Sequence, residues 1–211
     1  MDPHSEVEAK FDADGLLPSQ IQAYVDFLTD TQVLTPFQSY REVEGTDSFW
    51  KVGDNPAIRC RHDTLVEDKT YGYNPAPLDS VCLTIKQRKH ENSLLDRHEV
   101  DLPVAEGVPV ETAEAFLRLS GATHEFTIKK HYWVWLVNYG KIDVCLALYD
   151  VSNLDGSNPQ RFLEVEIEKH SKCSLERGRM ELDRWVEQLR HRYHLEHPVN
   201  KSLYEMYRPK P

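Results

Sequence analysis

Charged side chains recur at every second position in several segments of this 211-residue chain. In Glu6-Val7-Glu8-Ala9-Lys10-Phe11, for example, charged and apolar residues alternate. Because successive side chains of a β-strand point to opposite faces, each such segment predicts a strand with one ionic face and one apolar face. The basic residues of these ionic faces are Lys10, Arg59, Arg61, Lys86, Arg88, Arg97 and Lys130, and the acidic residues are Glu6, Glu8, Glu99, Asp101, Asp150, Glu164 and Glu166.

The basic and acidic sets are equal in number, which is unusual for a simple anion site. A polyanion would gain little from so balanced a set unless metal ions neutralised the carboxylates. Mg²⁺ and Mn²⁺ prefer oxygen ligands and bridge phosphate groups, while arginine forks and lysine ammonium groups hold the remaining phosphate oxygens. The side-chain types therefore predict a site for a metal–polyphosphate complex.

A charged strand face can also simply meet water, and for one strand alone solvation is the favoured interpretation. Here many strands repeat the pattern, and their charged positions are almost purely ionic. A barrel accounts for all of these strands, because it places their ionic faces inside and their apolar faces outside, beneath helices. Such a lumen must be wet or hold ions, since burying an unpaired charge costs several kcal/mol.

Eight strands and three helices are predicted to position these side chains. The predicted strands cover residues 6–11, 38–52, 57–61, 81–88, 94–104, 126–138, 141–150 and 161–168. Residues 62–80 are rich in polar residues, Gly, Pro and Asn and predict a loop. Apolar stripes predict amphipathic helices over 19–28, 110–119 and 174–193. We expect a single α+β domain over residues 1–211.

Composition excludes several classes of function. The net charge of −10 argues against binding to nucleic acid or to an anionic membrane, because both need a basic face. No apolar run approaches the roughly 18 residues of a membrane span, and the N-terminus lacks a secretory pattern. Cys60, Cys82, Cys145 and Cys173 are scattered, which predicts reduced thiols. We therefore expect a cytoplasmic protein with a small-molecule partner, no nucleic acid and no membrane.

Aromatic residues alternate within the predicted strand 126–138. Trp133 and Trp135 share its outward face and are expected to pack in the core under the third helix. Tyr132 is expected to point inward with Lys130, where it is the better candidate for contact with a base or ribose.

Segments along nearly the whole chain resemble, in order, the motifs of the CYTH superfamily, the triphosphate tunnel metalloenzymes. Glu6-x-Glu8-x-Lys10 resembles the ExExK signature of that superfamily. The later segments that resemble its motifs are Arg59-x-Arg61, Leu83-Thr84-Ile85-Lys86, Arg97-x-Glu99-x-Asp101, Phe126-x-x-x-Lys130, Tyr149-Asp150-Val151, Phe162-Leu163-Glu164-Val165-Glu166 and the tail Lys201-Ser202-Leu203-Tyr204-Glu205. The chain departs from the pattern at Tyr132, where arginine is usual, and at Asp47-Ser48-Phe49-Trp50, which stands for a YFDT-like segment.

The resemblance implies an antiparallel eight-stranded β-barrel, closed or nearly closed, with a charged lumen and about three flanking helices. It implies one Mg²⁺ or Mn²⁺ held by Glu6, Glu8 and Glu166, and a second near Glu99 or Glu164. Asp150 joins the acidic set as a further candidate metal ligand. The residues implied in substrate binding are Lys10, Arg59, Arg61, Lys86, Arg88, Arg97, Lys130, Tyr132 and Lys201, and those implied in catalysis are Glu8, Lys10, Glu99 and Glu164.

Three functions are consistent with these residues. The leading one is metal-dependent hydrolysis of inorganic triphosphate, thiamine triphosphate or a nucleoside triphosphate. The alternative is a class IV adenylyl cyclase, which converts ATP to cyclic AMP and pyrophosphate and is suggested by the C-terminal tail. The third is a non-catalytic module that binds a triphosphate nucleotide. The oligomeric state is left open, with a homodimer as one option.

Overall fold

The computed structural model describes residues 5–34, 39–70, 79–88, 96–139, 142–167, 173–196 and 198–209, and the side chains of residues 5, 6, 70, 86–88 and 96–98 lie outside the description. Over these residues the chain forms eight strands and four helices. In chain order they are β1 (Ser5–Asp12), α1 (Pro18–Asp30), β2 (Ser39–Lys51), β3 (Ile58–Thr70), β4 (Asp79–Arg88), β5 (Asp96–Pro103), α2 (Val110–Leu119), β6 (Thr123–Tyr139), β7 (Ile142–Asn153), β8 (Gln160–Ile167), α3 (Leu175–Tyr193) and α4 (Leu203–Tyr207).

The eight strands form a closed antiparallel barrel in the order β1-β5-β4-β3-β2-β6-β7-β8. The ring closes through β1, which pairs with β5 on one side and with β8 on the other. The predicted fold class, an α+β barrel flanked by helices, is confirmed. The sequence did not predict α4, because a helix of five residues is too short to show apolar periodicity.

Two-residue alternation separates the outside of the barrel from its lumen. In β1, Val7, Ala9 and Phe11 are buried in a core shared with helices, whereas Glu8 and Lys10 line the interior cavity. The predicted arrangement, with apolar faces outward and ionic faces inward, is therefore observed in the strand where the pattern is clearest.

Helices α1 and α3 cover the outer, apolar face of the barrel. Their buried large residues are Ile21, Tyr24, Val25, Leu28, Leu182, Trp185 and Leu189. Each fully buried apolar side chain of this size contributes roughly 1.5–3 kcal/mol, so this layer holds the barrel in its closed form. Trp135 lies in the same core, and its indole N–H donates a hydrogen bond to Gln22 of α1 at 2.7 Å.

Helix α2 covers a second apolar region beside β3, β4 and β6. Ala113 and Leu117 of this helix pack in a cluster with Trp50, Cys60 and Leu83. The bounds of α2 agree with the prediction from its apolar stripe.

The prediction of a loop over residues 62–80 is wrong for the part that the structure describes. β3 continues to Thr70 and β4 begins at Asp79, while residues 71–78 lie outside the described residues. The extension of β3 pairs with β2 up to the register Thr70–Ser39. Main-chain hydrogen bonds to β2 form this extension, and its largely polar side chains do not reveal it.

All four cysteines are free thiols, as predicted. Burial raises the pKa of Cys60 to about 11, with a further contribution from Glu114. Among the described helices, none has both the length and the apolar character needed to cross a membrane.

Candidate functional site

The barrel encloses a cavity of about 560 Å³, and among the described side chains those that line it come from β1, β2, β3, β4, β6, β7 and β8. The sequence-predicted site residues that line it are Glu8, Lys10, Arg59, Arg61, Lys130, Tyr132, Glu164 and Glu166. The fold therefore brings predicted residues from four strands, β1, β3, β6 and β8, into one enclosed space although they are far apart in the sequence.

Three carboxylates converge on one wall of this cavity. Glu8, Glu164 and Glu166 each offer one oxygen, and these oxygens lie within 4.8 Å of one another. The β1–β8 register explains this proximity, because Glu8 lies opposite Glu166 and Lys10 lies opposite Glu164. A set of oxygen donors at this spacing fits a hard divalent cation such as Mg²⁺ or Mn²⁺.

Tyr149 of β7 holds one of these carboxylates in place. Its hydroxyl donates a hydrogen bond to Glu164 Oε2 at 3.1 Å. Burial, followed by the charges of Glu164 and Glu8, raises the pKa of Tyr149 well above its ordinary value. The phenol therefore remains a donor, and it orients Glu164 toward the other two carboxylates.

A cationic group lines another wall of the cavity around the buried carboxylate of Asp47. The Nε of Arg61 donates to Asp47 Oδ1 at 3.0 Å, and Lys130 Nζ lies 3.5 Å from Asp47 Oδ2. Burial alone would raise the pKa of Asp47, but Arg61, Lys130 and Arg59 together lower it well below its usual range. Asp47 is therefore an anion that neutralises part of the cationic group.

Lys130 is the cation whose charge is least favoured. Burial, and then the nearby charge of Arg61, lowers the pKa of Lys130 to about 8, although Asp47 acts in the opposite direction. The arrival of a polyanion would favour the charged form, so this lysine is suited to bind phosphate.

Arg59 connects the cationic group to β4 and β5. Its Nη2 donates to Thr84 Oγ1 at 3.1 Å, and the Thr84 hydroxyl donates in turn to Asp101 at 2.8 Å. The same Nη2 lies 3.9 Å from Glu99 Oε1. Glu99 is buried beside Arg59 and is not a member of the three-carboxylate cluster, so its predicted role at a second metal gains no support from the described geometry.

Tyr132 lies inside the cavity beside Lys130, in the orientation that alternation predicts. Lys130 Nζ is 4.9 Å from the centre of the Tyr132 ring, and the Arg61 guanidinium is 6.0 Å away. Burial is the largest cause that raises the pKa of Tyr132; the charge of Arg61 acts in the opposite direction, and the charge of Asp63 adds to the rise.

The C-terminal segment reaches one end of the cavity. Ser202, Leu203, Tyr204 and Glu205 line it there, and Tyr204 stacks on Phe126 with ring centres 5.6 Å apart. Lys201 was predicted to bind substrate. Its side chain is exposed, and its main-chain carbonyl accepts a hydrogen bond from Lys10 Nζ at 2.6 Å.

Asp150 lies outside the tunnel, so its assignment as a metal ligand is corrected. On β7 the inward position belongs to Tyr149, and the next residue must therefore point outward. Both carboxylate oxygens of Asp150 accept hydrogen bonds from Arg161, each at 2.6 Å. This bidentate pair is a surface contact rather than part of a metal centre.

Four predicted residues, Glu6, Lys86, Arg88 and Arg97, have side chains that lie outside the described residues. Their main-chain register is described. Glu6 pairs with Arg97, Lys86 pairs with Glu99, and Arg88 pairs with Arg97. These positions are therefore neighbours on β1, β4 and β5, and their roles stay predictions.

Asp47, Tyr149 and Asp63 were not predicted as site residues. Each lies within or near a segment that was recognised, but its role depends on partners from strands distant in the sequence. The alternation of β2 does place Asp47 and Phe49 on the same face. That alternation, together with the place of Asp47 in the segment compared with the YFDT-like motif, could have identified it.

The closed antiparallel barrel with an ionic lumen is the tunnel fold that the resemblance to the CYTH superfamily implies, and the recognition is confirmed at the level of the fold. No protein-family profile matches the sequence, and no curated protein shows significant similarity to it. The likeness is therefore one of structure.

Solved structures share this fold along nearly the whole chain. The PH1819 protein from Pyrococcus horikoshii OT3 aligns with a TM-score of 0.63 and 19% identity, over 95% of this chain and 97% of that protein. A conserved hypothetical protein from Pyrococcus furiosus aligns with a TM-score of 0.56 and 20% identity, over 95% and 98%. The Pct1 RNA triphosphatase from S. pombe, in complex with the Spt5 CTD, aligns with a TM-score of only 0.37 and 11% identity, over 90% and 82%, which is too low to support an argument.

Proposed function

We propose that this chain is a metal-dependent phosphohydrolase that acts on a triphosphate substrate inside the tunnel. The observation that supports the proposal is the presence, in one cavity, of the three-carboxylate cluster and the cationic group. Arg59 and Arg61 lie on β3, which is three steps from β1 and four from β8 in the ring of strands, so they face the carboxylate cluster across the lumen, while Lys130 on β6 lies two steps from β8. A metal–triphosphate complex would satisfy both walls at once.

On the carboxylate wall, Glu8, Glu164 and Glu166 would hold Mg²⁺ or Mn²⁺. When bound, such an ion neutralises phosphate charge and lowers the pKa of a coordinated water molecule. Tyr149 keeps Glu164 aligned through its hydroxyl.

On the cationic wall, Arg59, Arg61 and Lys130 would bind the phosphate oxygens. Arg61 and Lys130 are already positioned by Asp47, so they can stabilise the charge that develops on the transferred phosphoryl group without first reorganising.

A class IV adenylyl cyclase activity is the second candidate. It is favoured by the aromatic end of the cavity, where Phe49 and Tyr204 lie with ring centres 5.7 Å apart beside the C-terminal segment. Aromatic faces of this kind can hold a nucleobase.

Product analysis after incubation with ATP and Mg²⁺ or Mn²⁺ tests both candidates. Orthophosphate indicates a hydrolase, cyclic AMP with pyrophosphate indicates a cyclase, and neither product points to a binding module. The same assay compares Glu164→Gln with Asp150→Asn, which makes the same kind of change outside the tunnel. We expect only Glu164→Gln to abolish turnover, and equal loss in both variants would contradict the proposed site.

A further inference from the structure

Arg59, Thr84 and Asp101 lie side by side on three adjacent strands. In the register, Arg59 of β3 pairs with Thr84 of β4, and Thr84 pairs with Asp101 of β5. Thr84 is only 1% exposed and lines the cavity. Its hydroxyl donates to Asp101 Oδ1 at 2.8 Å and accepts from Arg59 Nη2 at 3.1 Å. Because a hydroxyl has one proton, the bond to Asp101 leaves the lone pairs of Thr84 to face the guanidinium.

The two cavity arginines of β3 are held by different kinds of acceptor. Arg61 donates through its Nε to the carboxylate of Asp47 at 3.0 Å. Arg59 donates instead to the neutral oxygen of Thr84, and its Nη2 lies 3.9 Å from Glu99 Oε1, which is too long for a hydrogen bond. The Nε of Arg59 is buried and has no hydrogen-bond partner among the described residues. Arg59 is therefore oriented from one side, while part of its donor set is not used within the described part of the chain.

A hydroxyl is a suitable acceptor for an arginine that must bind phosphate. A guanidinium in a bidentate pair with a carboxylate, as Arg161 is with Asp150 on the outer surface, has its charge matched and two donors occupied. A phosphate group would have to displace that carboxylate. Thr84 brings no charge of its own, and Asp101 fixes the direction of its lone pairs from the far side. The guanidinium of Arg59 is thereby held in place and still has charge and donors to offer to phosphate oxygens.

We propose that Thr84 is a positioning residue, which through its bond to Asp101 orients the Arg59 guanidinium toward the phosphate groups of the substrate. The inference rests on the proposed function and gives roles to two residues outside the metal and phosphate sets, Thr84 as the positioning group and Asp101 as its anchor. Valine has the shape of threonine but no hydroxyl. At position 84 it would leave Arg59 free to turn toward the buried carboxylate of Glu99, which is 3.9 Å away.

The test measures, by calorimetry, the Kd of imidotriphosphate with Mg²⁺, a triphosphate analogue in which nitrogen replaces the bridging oxygens. We expect Thr84→Val to raise this Kd by about tenfold, which corresponds to about 1.4 kcal/mol. Thr84→Ser keeps the hydroxyl and should restore the Kd to within about twofold of wild type. Asp101→Ala should raise the Kd in the same direction, because the hydroxyl of Thr84 is then free to rotate.

A double substitution shows whether Thr84 acts through Arg59. In an Arg59→Gln background, Thr84→Val should have no further effect on the Kd, because the side chain that it positions is gone. The matched control is Thr64→Val. Thr64 donates to Asp79 at 2.9 Å between the same two strands, β3 and β4, but it is exposed. Its replacement removes the same kind of hydrogen bond and should leave the Kd unchanged.

The outcomes separate the inference from the proposed function. A Thr84→Val variant with a lower Tm and an unchanged Kd, or an equal loss of affinity with and without Arg59, overturns the inference and leaves the hydrolase proposal intact. If Thr84→Val does not fold, Asp101→Ala decides, since Asp101 is exposed and its loss should raise the Kd only when Arg59 is present. A wild-type protein that binds the analogue but releases no orthophosphate from ATP rejects the hydrolase proposal, and the same Kd values still decide the inference. A wild-type protein that does not bind the analogue overturns both.

Discussion

Lys130 carries a charge that its surroundings disfavour, since its pKa is lowered from 10.5 to about 8 by burial and by Arg61. As the pH rises through about 8, the free protein loses this charge. We expect the KM for a triphosphate to rise over the same interval, measured from pH 7 to 9.5. Lys130→Arg, which stays charged throughout, should give a flatter profile, and a KM in wild type that is constant with pH would contradict the assignment.

The same pKa has a consequence for stability with a definite sign. Between about 8 and 10.5 the unfolded chain binds more protons at this lysine than the folded chain does. The contribution of Lys130 to the free energy of unfolding therefore rises with pH across that window, because deprotonation removes the cost of a buried charge. Below pH 8 the cost is fully present.

Glu8 is the buried member of the carboxylate cluster, and Glu8→Ala is the sharpest test of the metal site. We expect turnover at saturating Mg²⁺ to fall by more than about a hundredfold, since loss of outer-shell partners alone commonly costs about 10–100-fold. The fold should persist, because removing one of three adjacent carboxylates also relieves repulsion. Activity within about tenfold of wild type at an unchanged Tm would show that Glu8 does not hold the metal.

Among the secondary-structure elements, the C-terminal segment depends on a few specific contacts with the barrel. The Val199 N–H donates to the Lys10 carbonyl at 2.6 Å, and Lys10 Nζ donates to the Lys201 carbonyl at 2.6 Å. The Tyr207 hydroxyl, shared between the carbonyls of Val151 and Asn158, anchors α4. Lys10 therefore both lines the tunnel and holds the C-terminal segment against β1.

Removing the Tyr207 hydroxyl should loosen α4 without disturbing the apolar cluster in which the ring packs. We expect Tyr207→Phe to lower the free energy of unfolding by about 0.5–1.5 kcal/mol, the usual net contribution of one hydrogen bond. Limited proteolysis should then cut the C-terminal segment faster than in wild type. Equal cleavage rates would mean that the ring alone anchors the helix.

How far the sequence predicts these elements depends on how each one is stabilised. Strands with an ionic and an apolar face, such as β1 and β8, were predicted to within about two residues of their bounds. The second half of β3 was missed because its stability comes from main-chain pairing with β2. In the site, two-residue alternation predicts which carboxylates point inward. Asp150 was nevertheless predicted as a metal ligand, because its resemblance to a family motif was given more weight than the alternation. The charge of Asp63 acts on Tyr132 across the intervening strand β2, and no spacing in one chain reveals such an effect.

For the molecule as a whole, the balance of charge in the lumen should govern its response to ligand. We expect inorganic triphosphate or ATP with Mg²⁺ to raise the Tm more than Mg²⁺ alone, because binding stabilises only the folded form. Asp47→Asn should lower the stability by about 3–5 kcal/mol, since it leaves Arg61 and Lys130 buried without their anion.

In Asp47→Asn, adding triphosphate with Mg²⁺ should raise the Tm by more than it does in the wild-type protein. Asp150→Asn, which removes a charge from the outer surface, serves as the matched control. If metal alone raised the Tm as much as metal with triphosphate, the lumen would not be a polyphosphate site.

Strand β1 closes the barrel by pairing with two strands that lie far from it in the sequence, β5 and β8. β1 ends at Asp12, and six of its residues, from Val7 to Asp12, pair with β8, which begins only at Gln160. Contacts between such distant segments are slow to form because the long chain between them must first be ordered. We therefore expect the pairing of β1 with β8 to form late in folding, and any intermediate that lacks it to be prone to aggregation. Because Glu8 pairs with Glu166 across β1 and β8, the three-carboxylate cluster is complete only once this pairing has formed.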